Sequence, residues 1–118
     1  MAATPAHDLY RRWLADLWNG DASAARDLVS ADFVGHWPTR EVRGPDELAA
    51  VVAKTHGLFD ALDFTLEVGP LVEDDLVCAR WSGRGYTSDG ELTFHGNDLL
   101  RVRDGRFVEY WTGTSSGS

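Results

Sequence analysis

Residues 76–112 read LVCARWSGRGYTSDGELTFHGNDLLRVRDGRFVEYWT, and this stretch decides the fold. Apolar and polar side chains alternate through it with a period of about two, the mark of half-buried strands. Ser88-Asp89-Gly90 and Asp104-Gly105 interrupt the alternation, and Asp-Gly is a strong hairpin signal. The pattern predicts strands over Leu76 to Thr87, Glu91 to Arg103 and Arg106 to Thr112. Just upstream, Phe64, Leu66 and Val68 alternate with Thr65 and Glu67 and add a strand. Gly69-Pro70 marks a bulge or bend in it, and Glu73-Asp74-Asp75 a turn after it.

Further upstream the period is helical. Leu9, Trp13, Leu14, Leu17 and Trp18 share a face, with Thr4 as cap, Pro5 at the first position and Asn19-Gly20 as the end. Asp21 can cap a short helix from Ala22 to Val29. Phe33 to Trp37 reads as a short strand stopped by Pro38, and Thr39 to Gly44 as a polar loop. Pro45-Asp46-Glu47 opens a third helix with apolar Leu48, Val51, Val52 and Leu58-Phe59, and His56-Gly57 frays or ends it. Helices segregated from an antiparallel meander make an α+β fold. The expected form is a curved antiparallel sheet wrapped on helices, a cone with an internal pocket. The far face of the sheet is then solvated or covered by a second subunit. One domain over 1–112 is expected, followed by a flexible tail at 113–118 that lacks core-forming side chains.

Charge narrows the partners. Eleven basic against nineteen acidic residues leave a net charge of −8. That argues against nucleic acid and anionic membrane surfaces, which select basic patches. No apolar run approaches the ~18 residues a membrane helix needs. The N-terminus lacks the order of a signal peptide, so a cytoplasmic location is expected. Cys78 is the single cysteine, which excludes an intrachain disulfide and a Cys-rich zinc site. No His or carboxylate spacing suggests a metal, and no cofactor is expected. Five of the 118 residues are Trp, and rigid aromatic walls suit a pocket for an organic ligand. Packing alone is the competing explanation.

Alternation assigns faces. On the Glu91–Arg103 strand, Leu92, Phe94, Gly96, Asp98, Leu100 and Val102 form the apolar set, so Asp98 falls inside a buried stripe. An unpaired buried carboxylate costs several kcal/mol. Asp98 is therefore an acid–base candidate with a raised pKa, or a brace for a loop, or the product of a bulge that turns Asn97 inward. On the preceding strand, Trp81 sits inward with Gly83 and Gly85, which leave room for a ligand or accommodate curvature. Cys78 lies on the outer face. Phe107, Glu109 and Trp111 oppose Val108, Tyr110 and Thr112 on the last strand, so aromatics stand on both faces. Glu109 is either a second polar group in the cavity or an ion-pair partner for Arg80, Arg84 or Arg101. His7, His56 and His95 read as solvated or outer-face residues. His36, beside Trp37, reads as a second acid–base group in the cone or as a histidine bonded to backbone at a strand end.

The ordered pieces ADFVGHWP, RGPDELAAVV, DLVCARWSGRGYTSDGEL and GNDLLRVRDGRFVEYW resemble the nuclear transport factor 2-like superfamily, in its SnoaL-like polyketide-cyclase branch. The resemblance runs from about Asp8 to Thr112. It implies an α+β cone with a deep pocket, commonly in a homodimer, and a carboxylate on the penultimate strand acting in an aldol closure. Asp98 stands at that place. The family's histidine after the long strand's small residues is Thr87 here, with His36 as a stand-in, and the frequent Asp after the final Trp is absent.

The expectation is a small-molecule-binding protein acting as a cofactor-independent acid–base enzyme of cyclase or isomerase type. Its substrate would be a hydrophobic, polycyclic or polyketide-like carbonyl compound. Asp98 would move the proton. His36, Thr87 or a Trp N–H would bond the oxyanion. Trp13, Trp37, Phe59, Trp81, Phe94 and Trp111 would wall the site. A non-catalytic binding or dimeric interaction module of the same fold is the alternative.

Overall fold

The computed structural model describes residues 5–116. The Thr4 cap lies outside them. Helix α1 spans Pro5–Arg12 and buries Leu9 and Tyr10. The expected helix does run on to Trp18, but Trp13–Trp18 is wound as a π-helix, with Asn19 N–H bonding the carbonyl of Leu14 at 2.8 Å. Asp21 caps the next segment through the N–H of Ser23 at 2.9 Å, as its residue type predicts. That segment is a 3-10 turn, Ala22–Ala24, followed by α2, Ala25–Leu28. Helix α3 spans Gly44–Gly57, with Pro45 in its first turn and Asp46 and Glu47 beside it.

Strands follow as β1 Val29–Trp37, β2 Arg40–Arg43, β3 Ala61–Glu73, β4 Leu76–Thr87, β5 Gly90–Arg103 and β6 Arg106–Ser116. They form one sheet in the order β2-β1-β6-β5-β4-β3. All neighbours are antiparallel except β1 and β6, which run parallel. The loop expected at Thr39–Gly44 is instead β2 and the start of α3. Its strand is short and charged, and only Val42 is buried, a composition typical of a protected edge. The tail expected at 113–118 also differs over 113–116, while 117–118 lie outside the described residues. Gly113 to Ser116 continue β6 and pair with Asn97 to Phe94, because β5 offers an open ladder at that point.

Helices cover one face. Tyr10, Trp13, Leu17, Phe33, Leu48, Leu100 and Phe107 form the main core. A second cluster of Leu14, Phe64 and Trp81 sits beside it, with Trp18 and Phe94 packed on. On the opposite face, cross-strand partners align Leu71, Cys78, Leu99, Trp111 and His36 in a row across five strands. Among the described residues no helix is long and apolar enough to cross a membrane.

Candidate functional site

Asp98 lies on the inner face of β5 and is 2% exposed. Its environment consists of side-chain donors. Tyr10 Oη donates to Oδ2 at 2.9 Å. Oδ1 accepts from Tyr110 Oη at 2.8 Å, Trp81 Nε1 at 3.0 Å and Thr112 Oγ1 at 3.3 Å. No loop is braced by this carboxylate, and its backbone register is regular, opposite Ala79 and Thr112. Burial pushes its pKa above the ordinary 3.8, and the four donors pull it back only in part. Burial, and then the charge of Asp98, raise the phenols of Tyr10 and Tyr110 far above their usual range, so both remain neutral donors.

This shift fixes the sign of a pH effect. A raised folded-state pKa means that the native state holds the Asp98 proton where the unfolded chain has lost it. Stability from this group is therefore fully present below about 3.8 and is lost as pH rises through the folded pKa. The wild-type advantage over D98N is expected to shrink with rising pH, at no more than about 1.4 kcal/mol per pH unit. Paired urea titrations across acid to neutral pH measure it, and a growing advantage would contradict the burial argument.

Asp98 opens onto a cavity of about 140 Å³. Six aromatic side chains wall it: Trp18, Trp37, Phe64, Trp81, Phe94 and Tyr110, with Leu14 between them. The rings brace one another. Phe64, Trp81 and Phe94 are mutually near-perpendicular, with centroids 5.3 to 6.0 Å apart. The π-helix presents Leu14 and Trp18, four residues apart, to the cavity, and sends Trp13 and Leu17 into the core. Asn19 fixes its end by exchanging two 2.7 Å hydrogen bonds with the backbone of Phe64. A ring N–H of His56 donates to the carbonyl of Trp18 at 2.5 Å.

The glycines turn out to be sockets for rings rather than room for a ligand. A Cβ at Gly96 would strike the Trp81 ring, at Gly83 the Phe94 ring, at Gly85 the Phe59 ring and at Gly35 the Trp37 ring. Phe59 thus lies behind Phe94, stacked on it at 6.1 Å, and does not line the cavity.

Of the residues singled out from sequence, Asp98, Trp37, Trp81 and Phe94 meet at the cavity. Trp13 is fully buried among Phe33, Phe107, Tyr110 and Trp18, and among the described residues its indole N–H has no partner. Thr87 is tied into the β4–β5 turn, accepting from Asp89 N–H at 3.2 Å. His36 and Trp111 stand on the outer face, stacked 5.5 Å apart. Adjacent strand residues point to opposite faces, so Trp37 inside requires His36 outside. There His36 bonds Glu109 at 2.8 Å and lies 3.3 Å from Glu41. Glu109 also pairs with Arg101 at 3.6 Å. Leu92, placed in the buried set by alternation, is exposed at the sheet end.

Tyr10, Tyr110 and Thr112 are the contacts that alternation missed. The two-residue Asp104-Gly105 turn starts the register at Arg103 opposite Arg106 and Val102 opposite Phe107. Continued without interruption, that register sets Trp111 across from Asp98. A bulge at Val108 shifts it by one, so Arg101 faces Glu109 and Asp98 faces Thr112. Phe107 and Tyr110 are both inward as a result. The α+β pattern holds no local mark of that bulge.

Among the described residues no group of three or more His, Cys, Asp or Glu side chains gathers as a metal site. The family model described as the SnoaL-like domain matches residues 10–110. None of the curated proteins matches the chain. Among solved structures, a protein from Bacillus cereus named as a candidate polyketide cyclase is 26% identical, with a TM-score of 0.85 over 96% of this chain and 76% of that one. Wild-type IdmH, named as a candidate polyketide cyclase from Streptomyces antibioticus, is 24% identical, with a TM-score of 0.80 over 96% and 93% of the two chains. A ketosteroid isomerase-like fold from Catenulispora acidiphila, solved with trimethylamine, is 18% identical, with a TM-score of 0.79 over 90% and 84%.

Proposed function

The chain belongs to the SnoaL-like domain family, and from that premise we propose that it binds a neutral carbonyl compound and moves a proton beside the carbonyl with Asp98. The observation that carries the reading is a nearly inaccessible carboxylate on the wall of an aromatic cavity. Desolvation makes such a carboxylate a stronger base than one in water, and brings its pKa closer to the range useful for general acid–base work.

The proposed step is an enolisation. Asp98 takes a proton from the carbon next to the carbonyl, and the electron pair moves onto the carbonyl oxygen. Protonated Asp98 no longer needs every donor that the carboxylate held. Tyr110, whose side chain lines the cavity, is then released to hydrogen-bond the enolate oxygen. Return of the proton to another carbon gives isomerisation, and attack of the enolate on a second carbonyl gives ring closure. Trp81, with an N–H that can only donate, keeps Asp98 oriented throughout. The structures named as candidate polyketide cyclases support this chemistry by likeness.

The test needs no native substrate. Simple cyclic ketones incubated with the protein in D2O should exchange their α-protons above the buffer rate, read by NMR, and D98N should not accelerate them. A pure binding module is the second reading, favoured by one detail: Oδ1 already holds three donors. Ligand binding without exchange would establish it.

We also propose a homodimer through the outer sheet face. Val68 and Leu71 there are exposed, and the Leu71–Cys78–Leu99–Trp111 row crosses the sheet beside them. Light scattering should give twice the chain mass for the wild type, and L99R should reduce it to one; a monomeric wild type would refute the dimer.

A further inference from the structure

We infer that the cavity selects a neutral single-ring compound with one oxygen acceptor, held by the indole N–H groups of Trp18 and Trp37. This rests on the reading of the cavity as a ligand site and sharpens its substrate class, selecting isomerisation over ring closure, which needs a second carbonyl.

Size comes first. Pockets that enclose drug-sized ligands run to ~300–1,000 Å³. This cavity is about 140 Å³. An engineered apolar cavity of ~150 Å³ takes one benzene. The available space therefore matches one six-membered ring. The glycines give no reserve, because Gly35, Gly83 and Gly96 are each already covered by a wall ring. Enlarging the cavity would require unseating Trp37, Phe94 or Trp81, and Trp81 is tied to Asp98.

Polarity comes second. Most of the polar groups on the wall are spent. Tyr110, Trp81 and Thr112 donate to Asp98, and Thr55 donates to the carbonyl of Val51 at 2.8 Å. The Thr114 hydroxyl, on the exposed part of the wall, is uncommitted among the described residues, and so are two indoles, those of Trp18 and Trp37. Both side chains line the cavity, and among the described residues neither indole N–H has a hydrogen-bond partner. An indole N–H can only donate, so each asks for an acceptor. A carbonyl oxygen supplies one.

Charge comes third. No Lys, Arg or His lines the cavity, so an anion would face Asp98 uncompensated. The Asp98 carboxylate is engaged by four donors, which leaves it little to offer an ammonium group. The neutral ketone is the ligand that fits all three constraints.

Indole N–H signals in 15N-labelled protein read the outcome directly, with Trp18 and Trp37 assigned through W18F and W37F. Cyclohexanone should move those two signals and leave that of Trp13 in place. It should bind at least tenfold more tightly than cyclohexane, than three-ring fluorenone, and than cyclohexylammonium. W37F should weaken cyclohexanone several-fold and leave cyclohexane unchanged.

Equal binding of cyclohexane would remove the donor role of the indoles. Fluorenone binding as tightly as cyclohexanone would show a cavity that opens for polycycles. Preference for cyclohexylammonium would reassign the site to cations. An absence of binding by every probe would overturn the inference outright. The first three outcomes leave the proton-moving role of Asp98 standing, since that role is read by α-proton exchange in D98N and not by ligand size.

Discussion

D98N is expected to lower α-proton exchange by about 10²–10⁴-fold, the usual share of a positioned general base, while folding stays within about 1 kcal/mol of wild type. The amide is nearly the same shape. Its carbonyl can still accept from Trp81, Tyr110 and Thr112, and its NH2 can donate to the Tyr10 oxygen, which accepts equally well. D98A is a different experiment. It strands the Trp81 N–H and the hydroxyls of Tyr10 and Tyr110 in a dry interior, at about 1–3 kcal/mol per unsatisfied donor. With some relaxation of the rings, a loss of about 3–5 kcal/mol is expected, or a fall in Tm on the order of 10–20 °C. Calorimetry on both variants beside the exchange assay separates holding the core from moving a proton. Exchange that persists in D98N would remove the catalytic reading. Equal instability of the two variants would remove the account of the donor set.

G96A should cost about 2–4 kcal/mol and close the site, although it adds one methyl group. The new Cβ would collide with the Trp81 ring and stand 3.0 Å from the carbonyl of Gly113 on β6. Backbone cannot yield there, so the indole must. Once displaced it loses its hydrogen bond to Asp98 and occupies the cavity. G113A is the control, because nothing lies within 4 Å of its Cβ and it should be close to neutral. If G96A folds and binds ligand as the wild type does, the ring does not depend on its glycine seat. Partial rescue by W81F in the G96A background would trace the damage to the indole.

Much of this arrangement is legible in the chain, and the departures share a cause. Helical spacing before residue 60 and alternation after it suffice for the α+β layering, and alternation on Glu91–Arg103 puts Asp98 on the inner face. Those signals are sums over many residues, so a local irregularity does not erase them. Face assignment fails where it depends on an uninterrupted count. Trp111 follows from the ideal register of the Asp104-Gly105 hairpin, and the bulge at Val108 replaces it with Thr112. Trp13 shares a helical stripe with Leu14 and Trp18, and only the packing of the π-helix separates core from cavity. His36 is the exception, since strand alternation forbids it to share a face with Trp37. The strand at Arg40–Arg43 is too short and too charged to announce itself. The brace of Tyr10 on Asp98 joins positions 88 residues apart and leaves no trace in local pattern.

The bulge at Val108 and the π-helix at Trp13–Trp18 depart from their regular ladders in the same sense, each accommodating about one residue more than the repeat allows. Between them they aim Tyr110 and Thr112 from one side and Leu14 and Trp18 from the other. If the β6 bulge were ironed out with the sequence unchanged, the register of the Asp104-Gly105 turn would bring a different set of existing side chains inward: Trp111 opposite Asp98 and Glu109 opposite Leu100. The pocket's chemistry thus depends on an irregularity at a residue, Val108, that does not line it. In descent from a common ancestor, a change of ligand could arise by a shift in phase along the chain, with every lining residue left unmutated.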